Sequence, residues 1–141
     1  MKNFKAYLAA PFFKEDELEV YHKVISFLRE GCNIDLYVPM EHIIPNAWEM
    51  SNPEWAKAVF EEDIKAIDNA DVVYVINFGM YSDSGTAWEA GYAYAKDKVV
   101  INLVKDTDST YSLMMLNGCE AVMDALHLGA KGIDLNEFEQ K

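Results

Sequence analysis

Hydrophobic and polar positions fall into two patterns that alternate along the chain. Residues 4–9 are a short run ending at Ala10-Pro11, a strand followed by a break. Over residues 15–30, Leu18, Tyr21, Val24, Ile25 and Leu28 recur at i, i+3 and i+4 spacing, which predicts an amphipathic helix closed by Gly31. Residues 34–38 read as a strand ending at Pro39. Ser51-Asn52-Pro53-Glu54 is a helix start: a capping residue, a first-turn proline, and a glutamate three after the serine. That helix runs to about Asn69.

Residues 71–77 (DVVYVIN) are a continuous apolar run, as in a parallel strand covered on both faces. The turn-rich loop FGMYSDSG follows, leading into a helix that begins DSGTAWEAGYAYAK. Residues 98–104 predict another buried strand, 109–117 a short helix and 120–123 a last strand. The alternation of strands and helices predicts a flavodoxin-like, doubly wound α/β sandwich with a parallel sheet of about five strands. Ligands in such sheets sit beyond the carboxyl ends of the strands. Here that rule selects the loops 9–13, 39–48 and 78–85.

Composition narrows the picture. The 141 residues fit one domain, 1–141, with a sizeable core, and 51% hydrophobic content argues for a packed globule. The longest apolar runs, 72–76 and 99–104, are too short to span a bilayer, and the first residues read as a strand and not as a signal peptide. A net charge of −12 and a pI near 4.5 work against nucleic acid and anionic membrane as partners. The single arginine, Arg29, reads as a solvated helix-end residue, so no arginine fork for phosphate is apparent. Cys32 and Cys119 are far apart and fit buried free thiols in a reducing cytoplasm. The scattered His22, His42 and His127 offer no metal constellation, and no cofactor is expected.

Carboxylates change the reading most. In the helix from Glu54, the apolar stripe is Trp55, Val59, Phe60, Ile64 and Ile67, and Asp63 falls inside it. An ionised carboxylate turned toward a core costs several kcal/mol, on the order of magnitude, unless it is paired. Asp63 therefore either edges the stripe and ties down a loop or lines a cavity. In DSGTAWEAGYAYAK, Asp83 or Ser84 caps the helix, Gly85 allows close backbone approach to a ligand, and Ala87, Gly91 and Ala93 permit tight contact with a sheet. Glu89 then lies about one and a half turns in, where the helix dipole favours an anion. It either faces water or serves as a nucleophile, with Asp83 to supply or orient a proton. Carboxylates without a metal or a phosphate grip suggest glycosyl chemistry, in which one captures an oxocarbenium-like sugar and another manages the leaving group's proton. Tyr7 is placed to hydrogen-bond such a nucleophile. Phe12 and Phe13 are placed to stack a flat leaving group, with simple core packing as the alternative.

The run Asp83-Ser84-Gly85-Thr86-Ala87-Trp88-Glu89-Ala90-Gly91-Tyr92-Ala93 resembles the D-x-G-T-x-x-E-x-G-x-A segment of nucleoside 2-deoxyribosyltransferases. Tyr7 with Pro11-Phe12-Phe13, Asp63, and Leu113-Met114 with Gly118 resemble further segments, so the likeness covers roughly residues 4–123. The resemblance implies that Glu89 attacks C1′ of a 2′-deoxynucleoside, giving a covalent deoxyribosyl-enzyme, and that a second free nucleobase takes the sugar with retention. It implies that Tyr7 holds Glu89, that Asp63 and Asp83 contact the sugar or base and assist proton transfer, and that Phe13 packs on the base. It also implies a homo-oligomer in which a neighbour's Ser112 and Met114 complete the sugar pocket. Ser112 stands where the family often has asparagine, with Asn117 nearby. The loop Glu41-His42-Ile43-Ile44 lacks a glutamine that reads the base in some members. His42 and Trp48 are the candidates to replace it, with a structural or interface role as the alternative for each. Two rivals stand beside the transferase. One is an N-glycoside hydrolase of nucleosides or their 5′-monophosphates, the monophosphate form disfavoured by the loop Ala9-Ala10-Pro11-Phe12. The other is a non-catalytic ligand-binding module.

Overall fold

The computed structural model describes residues 4–80, 83–129 and 131–138. Its strands β1 (Lys5–Ala9), β2 (Asp35–Tyr37), β3 (Val72–Asn77), β4 (Val99–Val104) and β5 (Ala121–Asp124) form one sheet in the order β2-β1-β3-β4-β5, with every neighbouring pair parallel. The connecting helices are α1 (Glu15–Ser26), α2 (Asn52–Asn69), α3 (Ser84–Ala95) and α4 (Leu113–Asn117). This is the flavodoxin-like strand order, and the direction in which successive strands are added reverses between β1 and β3, where such folds open a ligand crevice. Among the described residues, no helix is long and apolar enough to cross a membrane.

Strand alternation sorts the core. Ala6 and Leu8 of β1 pack with Val20, Tyr21 and Val24 of α1, whereas Tyr7 and Ala9 face the opposite layer with Ile67 of α2 and Ala90 and Ala93 of α3. A third cluster joins Val104, Tyr111, Leu116, Val122 and Phe138 at the far edge. The carboxyl-terminal halves of β3 and β4 are buried on both faces. On one face Val72, Tyr74, Val99 and Ile101 near their starts stay partly exposed, so the two-sided cover expected of these strands holds only toward the site. Gly79, after β3, has φ +122°, a conformation that suits glycine, and the next residue's amide bonds the Thr110 carbonyl at 2.7 Å.

Several expectations are corrected. The helix expected over 15–30 is α-helical only to Ser26, then winds as a π-turn over Phe27–Gly31. The strand at 34–38 shortens to Asp35–Tyr37, the last strand is Ala121–Asp124, and the 109–117 helix shrinks to Leu113–Asn117. Arg29 is not solvated: its guanidinium grips Glu41 at 2.5 and 2.6 Å and donates to the Leu36 carbonyl at 2.8 Å. Cys32 is exposed and Cys119 half-buried, so neither thiol is buried as expected, although both are free. Gly91 does not press against the sheet, since a Cβ there would meet nothing within 4 Å; Thr86, Ala90 and Ala93 make that contact.

The stripe of α2 is only partly a core stripe. Ile67 is buried, but Trp55 and Phe60 are 47% and 52% exposed. Length explains this. Eighteen helical residues reach roughly 27 Å, while a five-residue strand reaches about 17 Å. The C-terminal half of α2 covers β1, and its N-terminal half overhangs the sheet as a wall.

Candidate active site

The centre of the site is a hydrogen bond from the Tyr7 hydroxyl to Glu89 Oε2. Tyr7 comes from the interior of β1 and is fully buried (0% exposed). Glu89 comes from α3, whose start is fixed by Asp83: its Oδ2 accepts from the Thr86 amide at 2.8 Å and the Thr86 hydroxyl at 2.9 Å. With Thr86, Ala90 and Ala93 against the sheet, Glu89 lies at the margin of the buried face, half-buried and turned toward β1. Gly85 serves the cap as well as the cavity, because a Cβ there would sit 3.1 Å from Asp83 Oδ2.

Asp63 joins from α2. It shares with Glu89 a cavity of about 530 Å³ walled by Val59, Phe60, Gly85 and Trp88. The Phe60 and Trp88 rings meet edge to face, with centroids 5.4 Å apart. The wall is apolar, so carboxylates there lose water without gaining a cation. Burial pushes Glu89 up to about 7; the Tyr7 hydrogen bond opposes the rise, and the Asp63 and Asp83 charges add to it. Burial also lifts Asp63 to about 6, with Glu62 adding and His42 opposing. Tyr7 is held far above the ordinary tyrosine range, first by burial and then by the adjacent Glu89 charge. A buried tyrosine that stays protonated is a fixed hydrogen-bond donor.

The structure thus brings Tyr7, Asp63, Gly85 and Glu89 together and sets Asp83 beside them as the cap. It does not bring Phe13 in: that ring is 71% exposed, meets Phe12 at a tilt with centroids 4.7 Å apart, and is absent from the cavity wall. Its position follows from Glu17, which accepts from the Phe13 and Lys14 amides and turns the chain into α1. Ser112 and Met114 lie on the other flank of α3, in a separate groove of about 650 Å³ shared with Ala87, Ala90 and Gly91. Met114 is 75% exposed there. Asn117 donates to the Leu113 carbonyl at 2.7 Å, within its own helix. In the loop 78–85, residues 81 and 82 lie outside the described residues.

Sequence reasoning missed Tyr37. It is the register partner of Tyr7 on β2, its ring stacks on Tyr7 at 5.6 Å, and His42 stacks on its other face at 3.9 Å. The signal was available, since pairing two short parallel strands in register sets Tyr7 beside Tyr37. It also missed Trp88 as a cavity wall, because a tryptophan in a small-residue helix reads as core.

The five-stranded, all-parallel α/β fold matches that of a solved 2-deoxyribosyltransferase. The enzyme from the psychrotolerant bacterium Bacillus psychrosaccharolyticus superposes with a TM-score of 0.79 at 29% identity, covering 96% of this chain and 97% of that one. A conserved protein from Enterococcus faecalis V583 superposes with a TM-score of 0.63 at 28% identity, over 75% of this chain and 66% of that one. In sequence, a nucleoside deoxyribosyltransferase from Lactobacillus johnsonii is 28% identical over 106 residues, 69% of this chain and 71% of its own length. The family model for nucleoside 2-deoxyribosyltransferase matches residues 6–140, and the chain belongs to that family.

Proposed function

We propose that this chain exchanges nucleobases on 2′-deoxyribose by double displacement, with Glu89 as the nucleophile, a 2′-deoxynucleoside as donor and a free nucleobase as acceptor. The observation that carries the proposal is the hydrogen bond between buried Tyr7 and Glu89 at the mouth of a cavity that also holds Asp63. Glu89 stands on a rigid helix, has little solvation to lose, and is oriented by a donor that stays protonated.

In the first half-reaction a Glu89 carboxylate oxygen bonds to C1′. The glycosidic C1′–N bond breaks, its electron pair goes to the base, and Asp63 delivers a proton to the departing base. Asp63 suits that task because burial lifts it to about 6, whereas the Asp83 carboxylate is committed to the α3 cap. With Glu89 at about 7, the reactive form, Asp63 protonated and Glu89 ionised, is a minority form most populated between those values. In the second half-reaction the incoming base bonds C1′ and returns a proton to Asp63. The ester C1′–O bond breaks toward Glu89. Two inversions give net retention. Asp83 and Gly85 border the sugar, no cofactor takes part, and the chain, 1–141, acts as one domain that supplies Glu89, Asp63 and Tyr7 to the site.

The cavity wall is open on the side where α2 overhangs, and Phe60 and Trp88 present exposed rings there. A second copy of the chain in a homo-oligomer would cover them, and its exposed Leu113-Met114 edge, with Ser112, is of matching apolar character. Phe13 reaches the base only if the rim at 12–13 closes over the bound ligand.

The test is incubation with deoxyinosine, with and without adenine. The proposal expects deoxyadenosine in the presence of adenine and slower release of hypoxanthine without it. Equal base release in both arms, with no deoxyadenosine, would identify a hydrolase instead. No release in either arm, under conditions where a known deoxyribosyltransferase turns over, would favour a binding module.

A further inference from the structure

Tyr7 and Tyr37 project from register partners on β1 and β2, so their rings lie on one face of the sheet, nearly parallel, with 11° between planes and centroids 5.6 Å apart. The other face of Tyr37 is closed by His42, with 9° between planes and centroids 3.9 Å apart. Tyr37 is half-buried at the edge of the core cluster that holds Tyr7, Ile67 and Val73, and no polar contact fixes its ring among the described residues. Its hydroxyl is buried with no hydrogen-bond partner. Toward α2 a cavity of about 400 Å³, lined by Glu62, Lys65 and Ala66, gives the ring room to move. Core packing holds one edge of the ring, and the stack fixes its plane.

His42 is exposed, yet its backbone is anchored. It follows Glu41, whose carboxylate is gripped by both terminal nitrogens of Arg29 at 2.5 and 2.6 Å. Arg29 also donates to the carbonyl of Leu36, the residue before Tyr37, at 2.8 Å. It reaches both because the end of the first helix winds as a π-turn over Phe27–Gly31, a local irregularity that often serves a functional purpose. The single arginine of the chain is thus placed where it ties the 39–42 turn to β2.

We propose that Tyr37 and His42 are positioning residues for the Tyr7–Glu89 hydrogen bond: the ring stack His42–Tyr37–Tyr7, anchored through Arg29 and Glu41, fixes the Tyr7 hydroxyl against the Glu89 carboxylate. The catalytic use of that bond rests on the transferase proposal, but the positioning itself does not. Groups facing Glu89 are Tyr7 from β1, Asp63 from α2 and Asp83 from the start of α3; those facing His42 are Tyr37, Glu41 and Asp63. Tyr7's bond favours the ionised form of Glu89. Loosening the stack therefore raises the Glu89 midpoint.

The experiment is a titration of the free protein labelled with ¹³C at the glutamate carboxyls, the Glu89 signal assigned by its loss in Glu89→Gln. Wild type is compared with His42→Ala, His42→Phe, Tyr37→Leu and Tyr37→Phe. Because His42 is exposed, its replacement leaves the core intact, which an amide correlation spectrum verifies. The Glu89 midpoint should rise by about 0.5–1 pH unit in His42→Ala and Tyr37→Leu, the size of a weakened hydrogen bond to a carboxylate. Both His42 variants lose the imidazole's influence on Asp63, so a difference between them isolates the ring. His42→Phe and Tyr37→Phe, which keep the stack, should titrate like wild type. An unmoved midpoint in both His42→Ala and Tyr37→Leu overturns the proposal, as does His42→Phe behaving like His42→Ala. In base exchange, His42→Ala should lower kcat about three- to tenfold with little change in KM. A wild-type protein that exchanges no bases while these midpoints move as expected contradicts the transferase proposal and upholds the positioning.

Discussion

Glu89→Gln should stabilise the protein, and by an amount that grows with pH. Burial raises the Glu89 carboxyl from its ordinary 4.5 to about 7, so the folded protein holds this proton up to about pH 7 while the unfolded chain releases it near 4.5. Between those values the unfolded state binds fewer protons, and stability falls as pH rises. At 1.36 kcal/mol per pH unit the full interval amounts to at most about 3.4 kcal/mol, and partial solvent access at the cavity mouth reduces this to roughly 2 kcal/mol. Glutamine keeps the shape and removes the titration. Urea unfolding of wild type and Glu89→Gln at pH 5 and pH 8, with m-values compared to confirm like transitions, reads the difference. The variant should gain about 2 kcal/mol on wild type between the two pH values, most of it below pH 7. A difference that does not change with pH would refute the desolvation argument. So would wild type gaining on the variant as pH rises, since that marks a carboxylate stabilised as an ion.

Other outcomes follow from the same geometry. If Glu89 attacks as an anion and Asp63 donates a proton, kcat/KM for exchange should be bell-shaped with its maximum between about pH 6 and 7, and Asp63→Asn should remove the alkaline limb. Asp83→Ala removes the α3 cap and should cost about 1 kcal/mol, seen as a fall of roughly 2–4 °C in Tm, with Asp83→Asn retaining most of the stability. Met114→Asp should impair exchange without disturbing the Glu89 titration of the same subunit. Mixing it with Glu89→Ala should restore activity through hybrid sites, and a mixture that stays inactive after subunit exchange argues against completion of the site by a neighbour.

The fold was largely legible because its signals are local. The strands expected at 71–77 and 98–104 and the capped start at Ser51 fall within one residue of β3, β4 and α2. Weaker boundaries came from geometry that a one-dimensional pattern does not carry: the π-turn after Ser26 keeps the same apolar spacing as an α-helix, and α2 outruns the strand beneath it. The pairing of Tyr7 with Glu89 was legible from two unrelated cues, a tyrosine near the end of the first strand and a carboxylate in a small-residue helix. Arg29 was misread as solvated because its partner Glu41 lies across a turn and not at helical spacing. The place of Phe13 depends on how Glu17 turns the chain into α1, and that of Ser112 and Met114 on which flank of α3 receives α4. Those are tertiary choices.

The central claim is that Glu89 forms a covalent bond to the sugar. A 2′-fluoro-2′-deoxynucleoside slows the second half-reaction by destabilising the oxocarbenium-like transition state, so the intermediate accumulates. Intact mass spectrometry should show one fluorodeoxyribosyl adduct per chain, peptide mapping should place it on Glu89, and Glu89→Gln should carry none. An active protein that forms no adduct, or one labelled at another residue, would contradict the account.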